Sequence, residues 1–268
     1  MNFNIINQKR LQTKKKLMNR ELIFGGWVSY RDPSIAETFA MSGLDFIGID
    51  MEHTTISLDD ANRIITSCHS ENTLCFPRPV SHNNDYIKPL LEAGSDGAII
   101  QMIETKEHVK DIISKIKFPP QGNRSYGVNR AHGYGIHFKD YINTWNNSSI
   151  LILQIESMKA VENIDAITDC EGIDGIMIGP YDISGSIGFP GELEHPLVKK
   201  AEDKILEMCE RKGISCATQF SEISKSKILE VLNRGYTFCI LSSDLFILTD
   251  WSSNTKKIIK LLQESKIK

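Results

Sequence analysis

Eight short, nearly unbroken apolar runs recur along the chain: LIFGGWVSY (22–30), LDFIGID (44–50), TLCFPRP (73–79), DGAIIQMI (96–103), ILILQIE (150–156), IDGIMIG (173–179), ISCATQF (214–220) and YTFCIL (236–241). Runs of this length without polar alternation predict strands buried on both faces, hence a parallel sheet covered by helices. Helical patterns separate them, at 33–43, 57–70, 84–93, 105–116, 158–169, 195–212, 222–233 and 244–264. Their ends are punctuated. Pro33 after Asp32 sits at a first helical position, and Gly43, Gly94, Gly172, Gly213 and Gly235 follow helix ends. Ser57 to Asp60 has the form of a capping box with Asp in place of Glu. A strand and a helix repeated eight times predict an α/β chain folded as a (β/α)8 TIM barrel. A doubly wound open sheet is the competitor; eight regular units and no G-x-G-x-x-G after the first strand favour the barrel.

One long interruption, 118–149, separates the fourth and fifth strands and holds PPQGNRSYGVNRAHGYG and a predicted short helix at 138–146. A connection this long is usually functional or disordered. The 268 residues suit one barrel, 1–268, with no internal repeat or boundary. A formal net charge of −3 offers no footprint for nucleic acid, and no run approaches the ~18 apolar residues of a membrane span. The start, MNFNIINQKRLQTKKKLMNR, has apolar residues before its charges and no long apolar core after them, unlike a secretory leader. Lys14 to Lys16 are expected on the solvated face of a first helix. Six cysteines (Cys68, Cys75, Cys170, Cys209, Cys216, Cys239) form no C-x-x-C pair, and scattered free thiols suit a reducing cytoplasm.

In such a barrel the C-terminal strand ends build the active site. Those ends carry Asp50, Glu52 and His53 after the second strand, Arg78 after the third, Gln101 and Glu104 after the fourth, Gln154 and Glu156 at the fifth, and Asp182 beyond the sixth. Each has a structural explanation of its own: a cap for Glu156, a surface ion pair for Arg78, a satisfied loop position for His53, a turn for Asp182. Packing does not account for the whole set on one rim. Glu156 and Asp182 suit a hard divalent cation, Mg²⁺ or Mn²⁺ with Co²⁺ as a further candidate, and no closely spaced His/Cys set offers a zinc site. Arg78 supplies a fixed charge for an anionic intermediate. His53, beside Asp50 and Glu52, is suited to moving protons near neutral pH. None of the eight strand segments contains a lysine, which argues against a Schiff base and for metal activation of a carbonyl.

With these residues in place, the chain resembles the metal-dependent class II pyruvate aldolases of the 4-hydroxy-2-oxoheptanedioate / 2-keto-3-deoxy-sugar-acid aldolase family, within the phosphoenolpyruvate/pyruvate-binding barrel superfamily. The carriers are I-D-M-E-H (49–53), F-P-R-P (76–79), F-P-P-Q-G-N-R (118–124), Q-I-E (154–156) and G-P-Y-D-I-S (179–184), within about Gly26 to Asp244. The resemblance implies a lyase that cleaves a 4-hydroxy-2-oxo acid to pyruvate and an aldehyde, or runs the reverse addition. It implies Glu156 and Asp182 as metal ligands and Gln154 as a neighbour oriented toward substrate. Arg78 would stabilise the enolate, and His53 would act as base with Asp50 among its acidic supports. Glu92 would act across a subunit contact, and the Tyr181 and Asp182 backbone amides would hold the pyruvate carboxylate. A homo-oligomer, hexameric and with its last helix exchanged between subunits, is implied as well. Gln101, Tyr181 and the Ala217–Phe220 turn depart from the family's pattern, on the aldehyde side of the pocket.

Two other functions compete. A lyase acting on a CoA thioester needs a phosphate cradle, and the 118–135 loop offers Arg124 and Arg130 without such a motif. A non-catalytic pyruvate-binding homologue predicts a degraded site, whereas His53, Arg78, Glu156 and Asp182 are all present. The segment 124–135 has two readings: a cover over the barrel mouth that selects a hydroxylated or carboxylated aldehyde, or a contact with a neighbouring subunit.

Overall fold

The computed structural model describes residues 2–265; positions 1 and 266–268 of the expected 1–268 unit lie outside the described residues. Its strands are β1 (Ile23–Val28), β2 (Phe46–Asp50), β3 (Leu74–Arg78), β4 (Gly97–Ile100), β5 (Ile150–Ile155), β6 (Gly175–Ile178), β7 (Ser215–Phe220) and β8 (Phe238–Ser243), one in each apolar run. The helices are α1 (Phe3–Met18), α2 (Pro33–Ala40), α3 (Leu58–Ser70), α4 (Asn84–Glu92), α5 (Lys106–Ile116), α6 (Phe138–Ser148), α7 (Met158–Glu162), α8 (Ile164–Thr168), α9 (Pro180–Ser186), α10 (Pro196–Lys212), α11 (Lys225–Asn233) and α12 (Asp244–Glu264). The Asp32 cap, Pro33 at the first turn and the Ser57/Asp60 capping box are all formed. The helix expected over 158–169 is broken at Asn163 into α7 and α8. Among the described residues no helix is long and apolar enough to cross a membrane.

All bonded strand pairs are parallel, in the order β3-β2-β1-β8-β7-β6-β5-β4. At the seam between β3 and β4, the Asp96 N–H donates to the Cys75 carbonyl (3.0 Å) and Gln101 Nε2 to the Pro79 carbonyl (2.6 Å). The result is a nearly closed, TIM-barrel-like cylinder. Side chains alternate between its two faces. On β5, Ile150 and Ile152 enter the interior with Phe46, Leu74, Phe76 and Met177, while Leu151, Leu153 and Ile155 pack outward against the helices. Continued toward the C-terminal ends, the same period places Asp50, Arg78, Gln154 and Glu156 on the inward face.

The other end is closed by α1. Asp45, Asp96 and Asp174 stand immediately before β2, β4 and β6 and accept backbone N–H groups of Phe24 (3.0 Å), Cys75 (2.9 Å) and Leu151 (2.8 Å). Each also pairs with a basic residue of α1: Lys16 at 2.7 Å, Arg10 at 3.4 Å and Lys14 at 2.5 Å. Lys14 and Lys16, expected on a solvated face, are instead the latch between this helix and the barrel floor.

The segment 118–149 lies at this floor and not over the mouth. It follows α5, and a helix returns the chain to the N-terminal strand ends. Arg124 donates to the Tyr141 hydroxyl (3.0 Å) and pairs with Glu92 (3.1 Å), Arg130 donates to the Ala93 carbonyl (2.7 Å), and Lys117 Nζ donates to Ser149 Oγ (2.6 Å) just before β5. Within its own chain it cannot select an aldehyde at the mouth.

Candidate active site

A cavity of about 420 Å³ opens at the C-terminal strand ends, lined by His53, Arg78, Gln154, Gly179, Tyr181 and Asp182, with Leu193, Gln219 and Phe246 on its far wall. Arg78 is its centre. It is buried, with Asp50 Oδ1 2.8 Å from one terminal nitrogen, Gln154 Oε1 3.1 Å from the other, and Glu52 Oε2 3.2 Å from Nε. Trp27 stacks below, its ring centroid 5.0 Å from the guanidinium carbon. Gly48 makes room for that indole, since a Cβ there would fall 2.3 Å from it. Five N–H donors and one delocalised charge let Arg78 satisfy this collar and retain donors for a substrate oxygen.

Glu156 is 3% exposed. One carboxylate oxygen accepts the Met102 N–H (2.6 Å), the other the Gln154 amide (2.5 Å). Met102 adopts a left-handed backbone (φ 51°), which costs a non-glycine residue strain and occurs where structure holds it in place. Gly179 is required beside it: a Cβ would meet the Glu156 Cβ at 2.6 Å. Burial raises the Glu156 carboxyl to about 7; the Met102 N–H and Arg78 oppose the rise, and the Glu52 and Asp182 carboxylates add to it. Glu52 is also raised, chiefly by burial, and its Oε2 is buried without a hydrogen bond although Arg78 and His53 (3.6 Å) are near. So much negative charge around one arginine fits a bound cation. Among the described residues no group of three or more His, Cys, Asp or Glu gathers for an all-protein cage. Two carboxylates with positions left for water and substrate suit Mg²⁺ or Mn²⁺.

Residues 24–250 match the family described as HpcH/HpaI aldolase/citrate lyase. The chain belongs to that family. It is 31% identical over 238 residues to the 2-keto-3-deoxy-L-rhamnonate aldolase of Klebsiella pneumoniae, covering 88% of each chain, and 31% identical over 254 residues to the enzyme of that name from Salmonella typhi, covering 93% of each. A crystal structure of an HpcH/HpaI aldolase/citrate lyase family protein from Burkholderia cenocepacia superposes with a TM-score of 0.86 at 25% identity, covering 93% of this chain and 99% of that one.

Within this HpcH/HpaI barrel, His53, Arg78, Asp50, Gln154, Glu156, Tyr181 and Asp182 gather at one mouth. The details differ from expectation in three places. Asp50 does not support the His53 ring: its Oδ1 accepts the Glu52 and His53 backbone N–H groups (3.1 and 3.2 Å) and holds Arg78, and Glu52 is the acid beside the imidazole. The segment holding Asp182 is not a loop but the first turn of α9, whose Pro180 presets the helical φ at N1. Glu104 points away from the cavity and binds Lys159 (2.9 Å) and Ser157. Glu92, for which the resemblance implies a role across a subunit contact, ends α4 at the floor, paired with Arg124 and away from this mouth. Sequence reasoning missed Trp27 and Met102, and it touched Gln219 only within the expected Ala217–Phe220 turn, which is the end of strand β7. Trp27 reads as core, Met102 acts through its backbone, and Gln219 stands out in the sequence only as part of a segment that departs from the family's pattern.

Proposed function

We propose that the protein is a carbon–carbon lyase of the class II aldolase type, cleaving a 4-hydroxy-2-oxo acid of the 2-keto-3-deoxy sugar-acid kind to pyruvate and an aldehyde, or running the reverse addition. The observation that carries this reading is the buried Arg78, collared by Asp50, Glu52 and Gln154, beside the Glu156 and Asp182 carboxylates. The names of the 2-keto-3-deoxy-L-rhamnonate aldolase relatives support it. Glu156 and Asp182 would hold a divalent cation, Mg²⁺ or Mn²⁺ with Co²⁺ as a further candidate. Bound there, such a cation supplies positive charge to the carboxylate and keto oxygens of the 2-oxo acid.

The chain's own groups account for the rest. In the first turn of α9 the Tyr181 and Asp182 N–H groups have no intrahelical acceptor and suit the pyruvate carboxylate. Arg78 is fixed before substrate arrives, so it meets the charge that grows on the keto oxygen as C3–C4 breaks without reorganisation. His53, 63% exposed at the rim with Glu52 3.6 Å away, is placed to take the C4 hydroxyl proton as the aldehyde carbonyl forms. Return of that proton to C3 of the enolate then yields pyruvate and restores His53 as the base. The exposed apolar side chains of α12 and the six free thiols support, respectively, a homo-oligomer (hexameric by family) and a cytoplasmic setting.

Exchange of pyruvate C3 protons into D₂O tests this without knowledge of the aldehyde. Exchange should require Mg²⁺ or Mn²⁺ and stop with EDTA. Arg78→Ala should slow it by about 10²–10³, or about 2.7–4 kcal/mol, with the fold intact by circular dichroism. No exchange in the metal-loaded wild type would sink the aldolase reading.

A further inference from the structure

The wall of the cavity opposite the carboxylates has no role so far. It is built from Gln219 at the end of β7, Leu193 before α10, and Phe246 in the first turn of α12. Gln219 is two residues on from Ala217, which lies inside the barrel, so its side chain shares the inward phase of Arg78 and Gln154. Its state differs from theirs. Asp50, Arg78, Gln154 and Glu156 all have hydrogen-bond partners within the chain, whereas among the described residues the Gln219 carboxamide has none. An unengaged donor and acceptor therefore faces the cavity, flanked by the apolar Leu193 and Phe246.

The charges of the site narrow what this wall accepts. Among the described residues, Arg78 and His53 are the only basic side chains that line the cavity. Arg78 is already shared between Asp50 and Glu52, and His53 lies beside Glu52. Four carboxylates, Asp50, Glu52, Glu156 and Asp182, surround them. A cation held by Glu156 and Asp182 would be taken up by those carboxylates and the 2-oxo acid. An acceptor aldehyde bearing a carboxylate or phosphate would therefore be desolvated against this opposite wall without a counter-charge, which is costly. A hydroxyl, by contrast, matches one carboxamide that can donate and accept.

Resting on the aldolase reading above, we propose that Gln219 is a specificity-determining residue that hydrogen-bonds a hydroxyl of a neutral hydroxyaldehyde, with Leu193 and Phe246 enclosing its carbon chain. The test compares kcat/KM for pyruvate addition to 2-hydroxypropanal, propanal and the anionic 4-oxobutanoate. Wild type should prefer 2-hydroxypropanal to both others. In Gln219→Leu the preference for 2-hydroxypropanal over propanal should shrink by about three- to tenfold, the range of one hydrogen bond. In Gln219→Lys, 4-oxobutanoate should gain on 2-hydroxypropanal by at least as much. Thermal melts establish that both variants fold, and the ratios are independent of the active fraction. An unchanged ratio in a folded Gln219→Leu protein, or a wild type that prefers 4-oxobutanoate, overturns the assignment. Wild-type proton exchange separates the failures: exchange with unmoved ratios removes only Gln219, and no exchange removes the aldolase reading and this assignment with it.

Discussion

Glu156 carries the largest conflict at the residue scale. Its carboxylate is buried near Glu52 and Asp182, and its carboxyl is pushed from 4.5 up to about 7. A raised carboxyl means that the folded state holds a proton the unfolded chain has released. Without metal, stability therefore falls as pH rises from about 4.5 to about 7, and above that the penalty is about 3 kcal/mol. Glu156→Gln removes the titration. Metal-free wild type should lose melting temperature across this window more steeply than Glu156→Gln, and Mn²⁺ should stabilise wild type most above pH 7 and the variant least. Parallel pH profiles for the two proteins would show that Glu156 is not the group responsible.

At the scale of elements, the barrel has a different device at each end. The strands end at the mouth in polar inward residues, and they begin at the floor with Asp45, Asp96 and Asp174, each locked to α1. Asp174 serves two donors, the Leu151 N–H at 2.8 Å and Lys14 at 2.5 Å, and is itself buried. Asp174→Ala leaves the Leu151 N–H without its acceptor and takes the counter-charge from the Lys14 ammonium, which keeps only the Ser149 carbonyl at 2.9 Å. Breaking a buried pair in this way costs about 3–5 kcal/mol. Urea unfolding followed by circular dichroism should show a loss of that size, while the mouth, at the other end of the strands, keeps its proton-exchange rate per folded molecule. A loss under about 1 kcal/mol would mean that α1 is held by its apolar face alone, through Ile6 and Leu17.

At the scale of the whole molecule, α12 is the element the chain leaves unfinished. Of its 21 residues only Asp244 is buried, and Leu248, Trp251, Ile258 and Leu262 are all exposed. Apolar area of this kind on a long helix is covered in solution by protein, which fits the exchanged last helix expected of the family. Trp251→Glu with Leu248→Glu should therefore lower the mass measured by light scattering and make the melting temperature depend on protein concentration. A double variant that keeps the wild-type mass would place the subunit contact elsewhere.

How much was legible in the sequence follows from what is periodic. The eight apolar runs determined the strands and their parallel arrangement, because burial on both faces leaves no polar alternation. With the order of strand and helix settled, the strand ends bearing Asp50, Arg78, Gln154, Glu156 and Asp182 could be assigned to one rim. What the sequence could not decide is which partner each charge takes, since side-chain pairing joins residues far apart in the chain. Only the tertiary structure turned Lys14 and Lys16 from solvated residues into a latch, moved the 118–149 segment to the floor, and gave Asp50 to Arg78 instead of the His53 ring. The helix α9 escaped notice because seven residues are too few to show a 3.6-residue period. Gln219 needed the barrel to close before its inward phase, and the lack of a partner at that depth, had any meaning.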